Sequence, residues 1–355
     1  MKSVLYKKIK ECKGCLSHLR MSEEIATRKK IDSPTMVLLD ESPFAQDRDR
    51  ILKSQALRRL SGICHVFPLP DNIYIRNRLT HTLEVESVAV KIAHLLGINE
   101  KICSAAALGH DIGHTPFGHV GEDFITDITG RKFRHEVFSV IVAQQVERRG
   151  HGLNLTKQTL EGMFYHSRGG GKLYLSKVPE YDVVMLADKL AYLLISDIED
   201  MFRYGYLQCK NFPELSRVLN SFGANPTQRI NTCVAHLCLE SATKGYVSFS
   251  DSSVAQRFDE LKDLAHLAYK RINRIDRKLC PKHLESAYTN IALTVKDVDP
   301  AIVLALMTDQ DVIKLSQTTT NTKTIIKTMH SLPVWEIIQP IRGKRIDFTK
   351  PNLDW

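Results

Sequence analysis

Apolar residues along most of the chain recur every three or four positions, which is the spacing of one face of an α-helix. The clearest such face belongs to the segment 78–96 and consists of Val85, Val88, Ile92 and Leu95, with Gly97 as the C-terminal stop. A second helix is predicted within 182–202, where one face contains Val184, Ala191 and Ile195. Strand-type alternation is confined to 66–75 and 172–177. The pattern therefore predicts an all-α fold with few short strands.

Two polar side chains interrupt these apolar faces. His81 lies on the apolar face of the segment 78–96, and Asp188 lies on that of the segment 182–202. Burial of a carboxylate without a partner costs on the order of several kcal/mol. A bound metal ion would remove this cost. A hydrogen-bonded core histidine and a salt bridge between helices are the structural alternatives for the two positions.

The densest group of titratable residues lies between these two segments, at 108–122. It contains His110, Asp111, His114, His119 and Glu122. Because neighbouring residues are about a quarter turn apart on a helix, His110 and Asp111 can both reach one ion beside the helix end. Glycines and Pro116 interrupt the helix after Asp111, so His114 and His119 are expected on a turn that faces the same site.

Four of these side chains together provide two imidazoles and two carboxylates: His81, His110, Asp111 and Asp188. Such a mixed nitrogen and oxygen set suits a hard or borderline divalent ion, and we expect Mn, Mg, Fe, Co or Zn, with Mn or Mg foremost. Around an octahedral ion, four protein ligands leave two positions for a water and a substrate oxygen. Such an ion can acidify the water and orient a phosphoryl oxygen.

Three ordered blocks of the sequence form an extended motif. They read RLTHTLEV at 78–85, GHDIGHTPFGHVGE at 109–122 and ADKLAY at 187–192, and they are accompanied by DRDRI at 47–51 and by His135-Glu136. The order H…HD…D resembles that of the HD-domain phosphohydrolases. The longer blocks resemble the deoxyguanosinetriphosphate triphosphohydrolase family, relatives of the SAMHD-type dNTPases. The resemblance covers roughly 42–203 and implies an HD-domain helical fold with additional C-terminal helices.

The resemblance implies a role for each group of residues. It implies that the metal ion is held by His81, His110, Asp111 and Asp188. It also implies that the acid–base residues beside the ion are His114, His119, Glu122 and His135. Histidine titrates near neutral pH, and a carboxylate partner sets its tautomer, so a histidine paired with Glu122 is a suitable proton shuttle.

Substrate-binding residues also follow from the resemblance. Arg78 and Lys189 are expected to bind phosphates. Further cationic candidates, for which structural salt bridges are an equal alternative, are Arg48, Arg50, Arg58 and Arg59. Tyr192 is expected against the deoxyribose, where it would leave little room for a 2′-hydroxyl, and Asp197 is expected near the 3′-hydroxyl. His65 stands where many family members have a substrate-facing glutamine, so sugar or base selection is expected to differ.

The composition changes this picture mainly through its charge. Hydrophobic residues make up 43% of the chain and charged residues 25%, as in ordinary folded proteins. The net charge of +9 favours anionic partners, either phosphorylated metabolites or single-stranded nucleic acid. No apolar run is long enough to cross a bilayer, and the N-terminus lacks the pattern of a secretory signal. We therefore expect a cytoplasmic protein without a membrane partner.

We expect the chain to consist of an N-terminal extension at 1–41, an HD phosphohydrolase core at 42–205 and a C-terminal helical region at 206–355 packed on the core. The expected function is metal-dependent hydrolysis of deoxynucleoside triphosphates, dGTP foremost, to a deoxynucleoside and tripolyphosphate. The resemblance also implies a homo-oligomer, either a tetramer or a hexamer. The alternatives are another HD nucleotide phosphohydrolase and a protein that binds nucleotides or single-stranded nucleic acid without catalysis.

Overall fold

The computed structural model describes residues 2–32, 41–67, 72–167, 178–272, 276–318 and 321–354. For residues 2–6, 196–197, 271–272 and 276–278 it describes the backbone alone. The strand candidate 172–177 lies outside the described residues, and so does the side chain of Asp197.

Helices joined by short turns make up most of the regular structure in these residues. In chain order they are α1 (Lys2–Cys12), α2 (Pro43–Leu52), α3 (Gln55–Arg59), α4 (Arg78–Leu96), α5 (Glu100–Gly109), α6 (His119–Thr129), α7 (His135–Ile141), α8 (Glu147–Gly150), α9 (Lys157–Tyr165), α10 (Pro179–Ala191), α11 (Asp197–Arg203), α12 (Pro213–Phe222), α13 (Pro226–Lys244), α14 (Ser253–Ile272), α15 (Asp276–Thr294), α16 (Pro300–Ala305), α17 (Asp309–Ser316), α18 (Thr322–His330) and α19 (Pro333–Ile338). Short 3₁₀ turns lie at Ser17–Leu19, Glu23–Ile25, Leu60–Gly62, Cys209–Asn211 and Gln339–Ile341, and π-helical segments lie at Val142–Val146 and Tyr192–Ser196. None of the helices in the described ranges is both long enough and apolar enough to cross a membrane.

Pairing between extended segments is minimal in the described part of the chain. It consists of two isolated bridges, Arg28–Thr156 and Cys64–Asn77. The all-α prediction is therefore confirmed. The candidate strand at 66–75 is not a strand where it is described, because its described residues form bends and a turn. Pro68 and Pro70 within it lack the N–H donors that a paired strand needs.

The two helices predicted from apolar spacing have clear start and stop signals. α4 begins after Asn77, whose side chain accepts the amide of Thr80, and ends at Gly97 with φ of 79°. Its bounds are those expected from the spacing. The second predicted helix begins earlier, at Pro179 of α10, because a fixed φ and a missing N–H suit the first helical turn. It continues through the second π-helical segment into α11.

Of the three hydrophobic clusters in the described residues, the two larger ones both contain residues of the C-terminal region. One cluster contains Val85 and Leu186 together with Leu237 of α13. The other contains Met163 together with Leu304 of α16. Helices of the C-terminal region therefore complete the core around the helices that carry the candidate site residues. The domain boundaries at 41 and 205 stay a prediction.

One buried carboxylate joins two of the C-terminal helices. Glu240 of α13 accepts the backbone N–H groups of Ser250, Asp251 and Ser252, at 2.7, 3.1 and 3.1 Å, just before α14 begins. Burial alone would raise the pKa of Glu240, but these amides and the hydroxyl of Ser248 outweigh it and lower the pKa to about 2. The charged carboxylate therefore stabilises the folded chain.

We expect Glu240→Gln to lower the free energy of unfolding by roughly 1–3 kcal/mol at neutral pH, because a charged acceptor of buried amides is lost. The folded pKa of Glu240 lies below the ordinary value of 4.5, so its contribution is present above that value and fades as pH falls toward about 2. Urea unfolding of both proteins at neutral pH and near pH 3.5 (roughly midway through this window) measures the difference. A stability difference that is the same at both pH values would contradict the assignment.

Candidate active site

Three side chains that are distant in sequence meet where α4, α5 and α10 pack together. His81 lies on α4, His110 directly follows α5, and Asp188 lies on α10. His81 Nε2 is 3.0 Å from Asp188 Oδ1, and His110 Nε2 is 3.9 Å from the same oxygen. One ligand atom from each of the three lies within 4.8 Å of those of the other two. The structure thus brings three of the four expected metal ligands into one group.

Asp111, the fourth expected ligand, lies at the edge of this group. Its Oδ2 is 3.5 Å from His110 Nε2 and accepts a hydrogen bond of 2.6 Å from Arg78. Arg78 also donates to the backbone carbonyl of His65 at 3.3 Å. Burial alone would raise the pKa of Asp111, but its electrostatic interactions with the neighbouring His110 and Arg78 side chains outweigh burial and lower the pKa well below its usual value. Asp111 is therefore an ionised carboxylate. We call His81, His110, Asp111 and Asp188 the metal group.

Unpartnered nitrogen atoms indicate that the metal group suits a cation. His110 Nδ1 lies 2.6 Å from the carbonyl oxygen of Ala107, which fixes the proton on Nδ1 and leaves the lone pair on Nε2. His110 Nε2 is buried without a hydrogen-bond partner, and so is His81 Nδ1. The carboxylates of Asp111 and Asp188 add oxygen donors beside them. A divalent ion with nitrogen and oxygen ligands would supply the partner that His110 Nε2 lacks, so the residues present fit a metal ion.

Beside the metal group, Glu122 is surrounded by three histidines. Its Oε1 lies 3.3 Å from His114 Nε2, 3.2 Å from His119 Nδ1 and 2.8 Å from His135 Nδ1. Burial alone would lower the pKa of His135, but Glu122 outweighs it and raises the pKa to about 9. His114 differs, because burial and the charge of Arg78 lower its pKa well below the usual value. The four expected acid–base residues therefore form one group, the Glu122 cluster.

The side chains of the Glu122 cluster differ in their exposure to solvent. The side chain of His119 is 74% exposed, whereas that of His114 is fully buried. His119 begins α6, which corrects the expectation that it lies within the preceding turn. The turn itself contains Phe117 at φ of 57° and Gly118 at φ of 61°, a left-handed pair that redirects the chain between the two histidines. His119 is therefore the member of the cluster that most readily meets a molecule from solvent.

His166 is a site residue that the sequence reasoning missed. It follows α9, its Nδ1 lies 2.6 Å from the carbonyl oxygen of Met163, and its Nε2 lies 3.2 Å from His135 Nε2. One ligand atom from each of His110, Asp111 and His166 lies within 4.8 Å of the others. His166 therefore lies between the metal group and the Glu122 cluster. Its position three residues after Met163, on the buried face of α9, is the signal that could have identified it.

Aromatic rings cover one side of the metal group. The His65 ring stacks on the His81 ring with centroids 3.9 Å apart, and Tyr192 meets the edge of His65 at 5.8 Å. Tyr192 opens the second π-helical segment, a local irregularity that is frequent at functional sites. Lys189 follows Asp188 on α10 and is half-buried. The structure therefore places His65 and Tyr192 beside the metal group, in addition to Arg78, and Lys189 next to Asp188 along α10.

The four further arginines bind groups of the protein itself. Arg48 and Arg50 pair with carboxylates at 2.7 and 2.6 Å. Arg58 and Arg59 donate to backbone carbonyls, at 2.9 and 3.0 Å among other contacts. These contacts favour the structural alternative for all four arginines.

Comparison with known proteins agrees with the location of this site. The family model of the HD domain matches residues 78–193, a range that includes the metal group and the Glu122 cluster. A deoxyguanosinetriphosphate triphosphohydrolase-like protein of Clostridium perfringens (strain SM101 / Type A) is 39% identical over 215 residues, which are 61% of each chain. Its namesake from Caldanaerobacter subterraneus subsp. tengcongensis is 42% identical over 207 residues, 58% of this chain and 59% of that relative.

A third relative with the same name, from Desulfatibacillum aliphaticivorans, is 34% identical over 254 residues, which are 70% of each chain. The match therefore spans about six tenths of the length of the first two curated relatives and a larger share of the third. With this extent of similarity and with the HD domain placed on the metal group, the chain belongs to the family of deoxyguanosinetriphosphate triphosphohydrolase-like proteins.

Proposed function

We propose that this chain is a metal-dependent phosphohydrolase that acts on deoxynucleoside triphosphates, dGTP foremost, and releases a deoxynucleoside and tripolyphosphate. The observation that carries the proposal is the position of the metal group directly beside the Glu122 cluster, with His135 Nε2 3.7 Å from Asp111 Oδ1. Phosphoester hydrolysis needs charge neutralisation at the phosphate and proton transfer at the oxygens, and the two groups are suited to these two tasks. Membership of the family supports the same reaction.

The metal group is proposed to hold one divalent ion, with Mn or Mg foremost. When bound, such an ion supplies a Lewis acid that orients a phosphoryl oxygen and acidifies a water. Neighbouring groups of the protein set the protonation states of two of these ligands. The carbonyl of Ala107 sets the tautomer of His110, and Arg78 holds Asp111 in its ionised form.

The Glu122 cluster is proposed to carry out the proton transfers. Glu122 keeps His135 charged at neutral pH, since the pKa of His135 is raised to about 9. Departure of the 5′-oxygen of the nucleoside requires a proton on that oxygen. His119 is exposed and lies 3.2 Å from Glu122, so its ring is placed to deliver this proton to a substrate that enters from solvent.

The surroundings of the metal group are proposed to bind the rest of the nucleotide. Arg78 and Lys189 supply positive charge for the phosphates. Tyr192 and His65 supply ring faces for the sugar, and a tyrosine there would leave little room for a 2′-hydroxyl. Asp197 is kept as the proposed partner of the 3′-hydroxyl. This arrangement favours deoxyribonucleotides over ribonucleotides.

Product analysis by chromatography tests the proposal. With Mn²⁺ present, each reactive dNTP is expected to yield a deoxynucleoside and tripolyphosphate, and the matching ribonucleotide is expected to react roughly 10- to 100-fold more slowly, because a pocket of rings rejects one hydroxyl only modestly. Release of a monophosphate and pyrophosphate, or turnover of monophosphates and cyclic nucleotides alone, would favour another HD phosphohydrolase. Binding of nucleotides without turnover would favour a binding protein.

Two further proposals, on assembly and on a second partner, rest on the family resemblance and on the net charge alone. A cytoplasmic location is proposed, and the family resemblance suggests a homo-oligomer, either a tetramer or a hexamer, whose size light scattering on the purified protein measures. The net charge of +9 suggests single-stranded nucleic acid as a second partner. A gel shift that weakens with salt and survives Asp111→Ala would support a binding surface separate from the metal group.

A further inference from the structure

A single carboxylate from the C-terminal region is bonded to two segments of the active site. Asp309 Oδ1 accepts the backbone N–H of Phe117 at 2.8 Å, and its Oδ2 accepts the backbone N–H of Cys64 at 2.8 Å. Phe117 lies in the turn that leads to His119, and Cys64 directly precedes His65. The carboxylate thus joins the segment that carries the Glu122 cluster to the segment that covers the metal group.

The turn at Phe117 depends on such an acceptor. Phe117 has φ of 57°, a left-handed conformation that is unfavourable for a residue with a Cβ and persists only where its surroundings enforce it. Its ring is buried in the hydrophobic core, and the hydrogen bond of its amide to Asp309 is buried as well. A buried amide requires a hydrogen-bond acceptor, and Asp309 supplies it.

The helix that carries Asp309 does not need this carboxylate for its own cap. Thr308 caps α17 by accepting the amide of Asp311 at 3.2 Å, and the side chain of Asp311 accepts the amide of Thr308 at 3.0 Å. Asp309 is only 5% exposed, and its two carboxylate oxygens accept hydrogen bonds from the amides of Cys64 and Phe117. Its contacts therefore serve the active-site segments and not the end of α17.

Arg59, a buried cation, also bonds the C-terminal region to the active site. Its guanidinium donates to the carbonyl oxygens of Ala305 and Met307, at 3.2 and 3.0 Å, in the corner between α16 and α17. It also donates to the carbonyl oxygens of Ile112 and His114, both at 2.9 Å. The corner before Asp309 is therefore bonded to the histidine-bearing turn through a buried cation as well as a buried anion.

We propose that Asp309 is a positioning residue that sets the distance between the Glu122 cluster and the His65 side of the metal group. Neither of its two amide contacts involves a residue of the metal group. Loss of the carboxylate should therefore displace the acid–base residues and leave the metal ligands in place. The expected effect on turnover rests on the proposed function, whereas the expected effect on the two backbone segments does not.

Asp309→Asn is the test variant, because it keeps the size of the side chain while its NH₂ group cannot accept the second amide. Asp311→Asn is the matched control, because it changes the same charge on the same helix and affects the cap of α17. We expect the Asp309 variant to lose about 10- to 100-fold in kcat with its affinity for Mn²⁺ unchanged. We expect the control to keep its kcat. Hydrogen-exchange mass spectrometry should show faster exchange at 61–67 and 112–119 in Asp309→Asn alone.

Several results would overturn this role. One is unchanged exchange in both segments of folded Asp309→Asn, and another is an equal loss of kcat in both variants at equal thermal stability. Loss of Mn²⁺ binding together with loss of kcat would also contradict the positioning role, because the lower kcat would then be explained by the missing metal ion. If the wild-type protein hydrolyses no dNTP, the proposed function fails while the exchange comparison still decides the positioning role. If Asp309→Asn does not fold, Asp309→Ser, which keeps one acceptor, takes its place with the same expected results.

Discussion

Replacement of Asp111 with alanine is expected to abolish divalent-metal binding and to reduce turnover by at least about 10³-fold. Asp111 places a carboxylate oxygen 3.5 Å from His110 Nε2, so its removal takes both a ligand and a negative charge from the metal group. Arg78 then loses its 2.6 Å partner while it stays buried, and its uncompensated charge repels an incoming cation. Titration calorimetry with Mn²⁺ and a dNTP turnover assay measure the two effects.

Asp47 offers a matched control for this substitution. It is also a buried carboxylate paired with an arginine, Arg28, and it accepts the amide of Thr156 at 2.9 Å. Asp47→Ala should therefore cost comparable stability and leave Mn²⁺ binding intact. Normal Mn²⁺ affinity in Asp111→Ala would refute the assignment of Asp111 as a ligand. An equal loss of affinity in Asp47→Ala would show that the loss reflects stability alone.

The meeting of His81, His110 and Asp188 could be predicted from the sequence because α4 and α10 each have a readable apolar face, whereas the role of these residues as metal ligands stays a prediction. His81 and Asp188 both lie at positions that helical spacing assigns to the core, and a buried imidazole or carboxylate needs a partner. The motif at 109–122 then supplied His110 and Asp111 as the partners. The structure places one ligand atom of His81, His110 and Asp188 within 4.8 Å of one another, as this reasoning requires.

Other parts of the site could not be predicted, because they depend on how distant helices pack. Helical spacing after Met163 could have marked His166 as buried, but its contact with His135 depends on how the end of α9 packs, which the local sequence does not determine. Asp309 lies in a region without a recognisable motif, and its two bonds reach 192 and 245 positions back along the chain. Arg78 was expected to bind phosphate, whereas the structure also pairs it with Asp111, a contact set by the packing of α4 on α5.

The C-terminal region acquires a role through the same contacts. Tyr269 of α14 packs against Tyr192 with ring centroids 5.5 Å apart, on the side where the sugar is proposed to bind. Asp309 reaches the site from α17, close to the helix corner that Arg59 bonds. Two separate C-terminal helices therefore contact the walls of the site. Their effect on catalysis acts through the residues that they hold in place.

Glu122→Gln is expected to reduce turnover by about 10²- to 10⁴-fold while Mn²⁺ binding is retained. Glu122 Oε1 lies within 3.3 Å of a ring nitrogen of His114, His119 and His135, and glutamine keeps this shape without the charge. The pKa of His135 is about 9 because of Glu122, so the wild-type ring is protonated below that value and loses its proton as pH rises through it. In the variant, only the carboxylates of Asp111 and Glu136 oppose the effect of burial, so the pKa of His135 is expected to fall. The alkaline limb of the pH–kcat profile should therefore move to lower pH.

Asp127→Asn, an exposed change of the same charge on α6, is the control and should leave both kcat and its pH profile as they are in the wild type. The four residues of the Glu122 cluster also offer ligand atoms within 4.8 Å of one another, so this cluster could itself hold an ion. The amount of Mn²⁺ bound by Glu122→Gln therefore distinguishes an acid–base role of Glu122 from a role as a metal ligand. If Glu122→Gln loses one equivalent of Mn²⁺ together with its activity, Glu122 is a ligand and its histidines are not free to transfer protons. If the metal is retained and the alkaline limb shifts, the charge of Glu122 acts on protons, and the metal group alone holds the ion.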